Sequence, residues 1–143
     1  MNILILHGPN LNLLGEREPD IYGYETLDEI NDELKRRAEE LNVSIKTSQS
    51  NHEGVLIDSI HENRKWADAL IINPGAFTHY SYALRDAITA FARPTIEVHL
   101  SNLTKREEFR KFSVLEGLQN ITRLIGKGAA GYYEALERLA KKL

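Results

Sequence analysis

The sequence predicts an α/β fold on a parallel sheet. Short apolar runs of strand length alternate with segments whose apolar residues recur at helical spacing, and Gly or Pro stops the runs sharply at His7-Gly8-Pro9-Asn10 and Asn73-Pro74-Gly75. At 143 residues, the chain reads as one domain, 1–143, able to bury about two-thirds of its unfolded surface. A composition of 42% hydrophobic and 27% charged residues excludes disorder and fibrous repeats. The net charge of -3 offers no basic field for a phosphate backbone, so no nucleic-acid partner is expected. With no cysteine, disulfides, thiolate metal sites and thiol nucleophiles are excluded, leaving His, Tyr, Arg and carboxylates for chemistry. No stretch reaches the ~18 apolar residues of a membrane span. The expectation is a cytoplasmic protein with no membrane contact.

Each element has a local reason. Ile3-Leu4-Ile5-Leu6 is the first strand. Leu11 to Tyr24 has mixed charge, Gly15, Pro19, Gly23 and no apolar period, and reads as a long, mobile loop. Thr26 and Glu29 form a capping box, after which Leu27, Ile30, Leu34, Ala38 and Leu41 share a helical face. Val43 to Thr47 alternates as a second strand, and Leu56, Ile57 and Ile60 mark a helix over Glu53–Trp66. Ala69-Leu70-Ile71-Ile72 is an unbroken run suited to a strand covered on both faces. A helix over Tyr80–Phe91 follows, then a fourth strand over Pro94–His99, a charged loop through Lys105–Phe109, a fifth strand over Ile121–Ile125 and a closing helix.

Five strands alternating with helices give a five-stranded parallel sheet with helices on both faces, wound by right-handed crossovers; the flavodoxin-like arrangement is the natural choice. In such folds ligands sit beyond the carboxyl ends of the strands, where strand order reverses between strands one and three. Asn10, Asn73, His79, Glu97, His99 and Ser101 collect at these ends. Any one of them alone is more often a turn residue or a solvated histidine. Glu97 and His99 are two apart on a strand, so they share a face, and a carboxylate there can fix the imidazole tautomer and favour its charged form. That pair is a candidate proton donor. Arg17 and Tyr22 stand in the loop that could close over a ligand, and a guanidinium beside a phenol favours phenolate; the bland alternative for Tyr22-Gly23 is a plain turn.

Larger blocks carry a resemblance. Gly8-Pro9-Asn10-Leu11-Asn12-Leu13-Leu14-Gly15, then Arg17-Glu18-Pro19, Tyr22-Gly23 and Thr26-Leu27 open the chain. Ser50-Asn51-His52-Glu53-Gly54, Ile72-Asn73-Pro74-Gly75-Ala76, Thr78-His79, Ala83-Leu84-Arg85-Asp86-Ala87, Glu97-Val98-His99-Leu100-Ser101-Asn102 and Arg106-Glu107-Glu108-Phe109-Arg110 follow in order. Joint occurrence of such blocks in sequence order is far more specific than any one of them. Together they resemble the type II 3-dehydroquinate dehydratases over nearly the whole chain.

The resemblance implies elimination of water from 3-dehydroquinate, through an enolate, to 3-dehydroshikimate in the shikimate route to aromatic amino acids, without metal or organic cofactor. It implies Tyr22 as the base, Arg17 keeping it ionised, Asn10 holding a water at the enolate, and His99, supported by Glu97, as the acid. Asn73, His79, Arg110 and the backbone of Leu100 and Ser101 would grip substrate. Asp86 would lie near the site of an adjoining subunit in a homododecamer, a tetramer of trimers. The stretch Ser113–Gly126 departs from the family pattern and carries no contact over.

Three rival readings have weaker support. Gly126-Lys127-Gly128-Ala129-Ala130-Gly131 fits G-x-G-x-x-G, but only 12 residues follow, too few for the acidic partner of a dinucleotide site, so a tight turn with close helix–sheet packing is expected. A non-enzymatic binding module on the same fold lacks the acidic cluster of a phosphoacceptor. A metal-dependent hydrolase using His52, His79 and His99 lacks an H-x-x-x-H pair.

Overall fold

The computed structural model describes residues 1–142. Strands β1 (Asn2–His7), β2 (Ser44–Gln49), β3 (Ala69–Asn73), β4 (Thr95–His99) and β5 (Ile121–Ile125) form one parallel sheet in the order β2-β1-β3-β4-β5. This is the flavodoxin-like arrangement. The helices are α1 (Pro19–Tyr22), α2 (Leu27–Leu41), α3 (Glu53–Asn63), α4 (Tyr82–Phe91), α5 (Glu108–Lys111) and α6 (Ala130–Lys141).

Strand alternation divides the core between two faces. Ile3, Ile5, Ile71, Ile96 and Val98 pack with Ile30 and Leu34 of α2 and Leu136 of α6. Leu4, Leu6, Leu70 and Ile72 pack with Leu56 and Ile60 of α3 and Leu84 and Ile88 of α4. Central strands β1, β3 and β4 are therefore buried almost throughout, β1 and β3 by near-continuous apolar runs, whereas edge strand β2 alternates exposed and half-buried residues.

Local chemistry sets the helix ends. The Thr26 hydroxyl accepts from Glu29 N–H and the Glu29 carboxylate accepts from Thr26 N–H, completing the capping box expected for α2. Asn42, in the left-handed region at φ 57, ends that helix. α4 begins at Tyr82 rather than Tyr80, because the Ser81 hydroxyl caps it by accepting from Leu84 N–H. α3 stops at Asn63, short of Trp66.

Two expected loops contain helix. The segment after β1 holds a 3-10 turn over Leu11–Leu13 and then α1, started by Pro19 at its first position. The segment after β4 holds a 3-10 turn over Leu103–Lys105, capped by Asn102, and then α5. Pieces of three or four residues leave no apolar period to read. The glycine-rich turn before α6 packs as expected: a Cβ at Gly131 would approach Val98 Cγ1 to 3.3 Å. Among the described residues, no helix is long and apolar enough to cross a membrane.

Candidate active site

The site forms where β1 and β3 diverge. A Cβ at Gly8 would lie 2.7 Å from the carbonyl carbon of Pro74, so only glycine lets the two strand-end turns touch. Gly8 N–H donates to Asn73 O at 2.7 Å, which fastens the turns together. Asn10 follows in the left-handed region at φ 69, its N–H donating to Asn51 Oδ1 at 3.0 Å. Asn73 is buried, and its Oδ1 accepts from Gly75 N–H at 3.1 Å.

A cavity of about 170 Å³ opens above these turns. Asn10 and Asn73 line it from below, His99, Leu100 and Ser101 from the end of β4, and His79 from the 3-10 turn Gly75–His79. Arg17 and Tyr22 close it from the segment around α1, and Arg110 of α5 closes the far side. Asp86 lies instead on the exposed face of α4, away from this cavity. A wider cavity of about 440 Å³ meets the other side of Tyr22 and runs to the turn before α6.

Tyr22 is held by two cations. Arg106 Nη1 donates to its phenolic oxygen at 2.9 Å and to Ser101 Oγ at 3.3 Å. The guanidinium carbon of Arg17 stands 4.6 Å from the ring centroid, that of Arg106 5.3 Å. A negative charge on the phenolic oxygen would therefore be met by a direct donor and a second cation over the ring.

His99 is braced from the interior. Its Nε2 lies 2.5 Å from Glu97 Oε2, leaving Nδ1 as the ring nitrogen available to a ligand. Glu97 is 1% exposed and also accepts from the Thr78 and Ser113 hydroxyls. Burial alone would raise its carboxyl, but the His99 hydrogen bond and charge, the Thr78 hydroxyl and the Arg123 guanidinium outweigh that and hold it below the usual carboxylate range. His79 is lowered from 6.5, first by burial, then by the charges of His99, Arg110 and Arg123, against the opposing hydrogen bond to Phe112 O at 2.6 Å. Among the described residues, no group of three His, Asp or Glu stands ready to hold a metal ion.

This geometry accompanies a full-length likeness to known proteins. The model for Dehydroquinase class II matches residues 1–140. The chain belongs to the class II dehydroquinase family. It is similar to the 3-dehydroquinate dehydratase of Pelotomaculum thermopropionicum, with 56% identity over 140 residues, 98% of this chain and 96% of that protein. The protein of the same description from Dictyoglomus turgidum is 52% identical over 139 residues, 97% of this chain and 95% of that protein. Among solved structures, the type II dehydroquinase from Butyrivibrio crossotus superposes with a TM-score of 0.93 at 45% identity, covering 97% of each chain. The family resemblance read from the motifs is thereby borne out.

Within this dehydroquinase, the chain brings every candidate residue but Asp86 to the cavity or directly behind it. Sequence reasoning passed over four residues beside them: Arg106, Thr78, Ser113 and Arg123. Arg106 stood in the Arg106–Arg110 motif, but its partner is 84 positions away, a distance no local pattern spans. Thr78 stood beside His79, and its burial was the missing clue.

Proposed function

We propose that this chain dehydrates 3-dehydroquinate to 3-dehydroshikimate by stepwise elimination, with Tyr22 as base and His99 as acid. Family membership makes the reaction a hydro-lyase step on this substrate. The observation that best supports the residue roles is that the Arg106-bound phenolic oxygen of Tyr22 and the Glu97-braced imidazole of His99 line one cavity.

The phenolate of Tyr22 takes the proton from the carbon next to the ketone, and the electron pair moves onto the carbonyl oxygen as an enolate. Asn10 holds a water that donates to that oxygen. The enolate then collapses, the new C=C bond forms, and the departing hydroxyl leaves as water with a proton from His99. Tyr22 has gained a proton and His99 has lost one; exchange with solvent restores both. Arg110 fixes the substrate carboxylate, while Asn73, His79 and the backbone of Leu100 and Ser101 take its hydroxyls. Each acid–base partner is worth about 10²–10⁴ in rate. The chemistry requires no cofactor.

The enzyme works as one domain in the cytoplasm and as a homo-oligomer, a tetramer of trimers, in which Asp86 reaches the site of an adjoining subunit. Exposed Tyr80, Tyr82, Phe109 and Phe112 offer apolar area for such an assembly to cover.

Near-ultraviolet absorbance of the conjugated enone tests the reaction. Adding 3-dehydroquinate to purified protein in EDTA should give a steady rise, and Tyr22→Phe should reduce its rate at least about 10²-fold. No rise with folded wild-type protein would overturn the assignment.

A further inference from the structure

Arg123 sits on edge strand β5 directly across from Glu97 in the β4–β5 register. Its Nε lies 3.7 Å from Glu97 Oε2, too far for a hydrogen bond but well within ion-pair reach. Both Nε and Nη2 are buried without any hydrogen-bond partner. Leaving such donors unpaired is costly, and a guanidinium retained at that cost calls for a reason. It belongs to Ser113–Gly126, the stretch whose sequence departs from the family pattern, so this cation was not among the residues the resemblance assigned.

We propose that Arg123 is a positioning residue for the acid step: it offsets the charge of Glu97 so that the Glu97–His99 pair gives up its proton readily. The inference rests on the reading of His99 as the acid. A carboxylate and an imidazolium alone form a neutral pair that retains its proton strongly. With Arg123 alongside, the protonated cluster carries one net positive charge, and release to the leaving hydroxyl returns it to neutrality. Thr78 and Ser113 are neutral and add hydrogen bonds without altering this balance. Of the other charged or titratable groups facing the pair, His79 lies on the turn after β3 and Arg110 on α5. Arg17, Tyr22 and Arg106 stand around the same cavity. Arg123 alone approaches Glu97 from β5, behind the imidazole.

The test compares Arg123→Gln and Arg123→Met, which remove the charge, with Arg123→Lys, which keeps it. The pH profile of kcat/KM is read beside an NMR titration of the His99 ring, assigned by its loss in His99→Asn. Both neutral variants should move the alkaline limb and the ring titration upward by about one pH unit, with kcat reduced more than KM is changed. Arg123→Lys should restore the wild-type position. An unmoved or downward limb in folded neutral variants would overturn the proposal. If neither neutral variant folds, a displaced limb in Arg123→Lys would do the same. Turnover retained at the wild-type rate in His99→Asn would instead indict the assignment of His99 as acid.

Discussion

Tyr22 and His99 owe their chemical positions to groups that never face solvent fully, and the same is true of Asn73. His7 is completely buried, with Nε2 2.8 Å from Asn31 Oδ1 and Nδ1 2.8 Å from the Tyr132 hydroxyl. Because Asn31 Oδ1 can only accept, Nε2 carries the proton and Nδ1 accepts from Tyr132 O–H. Tyr132 in turn contacts the Asn73 amide, so a line of neutral groups runs from α2 to the cavity. Burial lowers His7 from 6.5 to about 4, outweighing the Asn31 hydrogen bond that would raise it. The folded state favours neutral His7, so its stabilisation is full above pH 6.5 and is lost as pH falls through about 4. At about 1.4 kcal/mol per pH unit, that amounts to on the order of 3 kcal/mol. Urea unfolding between pH 7 and pH 4 should show this loss in wild type and a flatter profile in His7→Gln. Equal slopes in both would contradict the neutral, buried histidine. This network was invisible in the sequence, since His7, Asn31, Asn73 and Tyr132 belong to four separate elements and only the fold joins them.

The five strands and the long helices were legible because each contains its own signal. Thr26 and Glu29 fixed the start of α2, and the apolar run of β3 showed burial on both faces. The segment between β1 and α2 was legible only as a loop, for its 3-10 turn and α1 have no side-chain caps and are too short to show periodicity, with Pro19 alone marking a start. That segment carries Arg17 and Tyr22, and its backbone holds positive φ at Glu18 and Gly23. Gly23 ends α1 at φ 91 with open space where a Cβ would stand, so Gly23→Ala changes backbone freedom without a clash. The substitution should cost about 1–3 kcal/mol of local strain in this conformation. Because the strain falls directly beside Tyr22, kcat and KM should both worsen while the melting temperature drops by only a few degrees. Unchanged kinetics would show that the segment does not need to take this conformation during turnover.

The whole molecule explains why residues spread from Asn10 to Arg110 line one cavity. Parallel strands all end on the same side of the sheet, and the reversal of order between β1 and β3 opens the crevice there. Family, fold and most residues of the cavity could therefore be read from motifs at strand ends. Arg106, Thr78, Ser113 and Arg123 could not, because their relevance depends on contacts between segments far apart in the chain. The proposed roles divide the labour across one cavity, with Tyr22 making the enolate and His99 completing the elimination. The most direct measurement is deuterium exchange into 3-dehydroquinate from heavy water, followed by mass spectrometry in His99→Asn and Tyr22→Phe. His99→Asn should still exchange the carbon-bound proton while forming almost no product, and Tyr22→Phe should do neither. Exchange that persists in Tyr22→Phe would contradict these roles and place the base elsewhere.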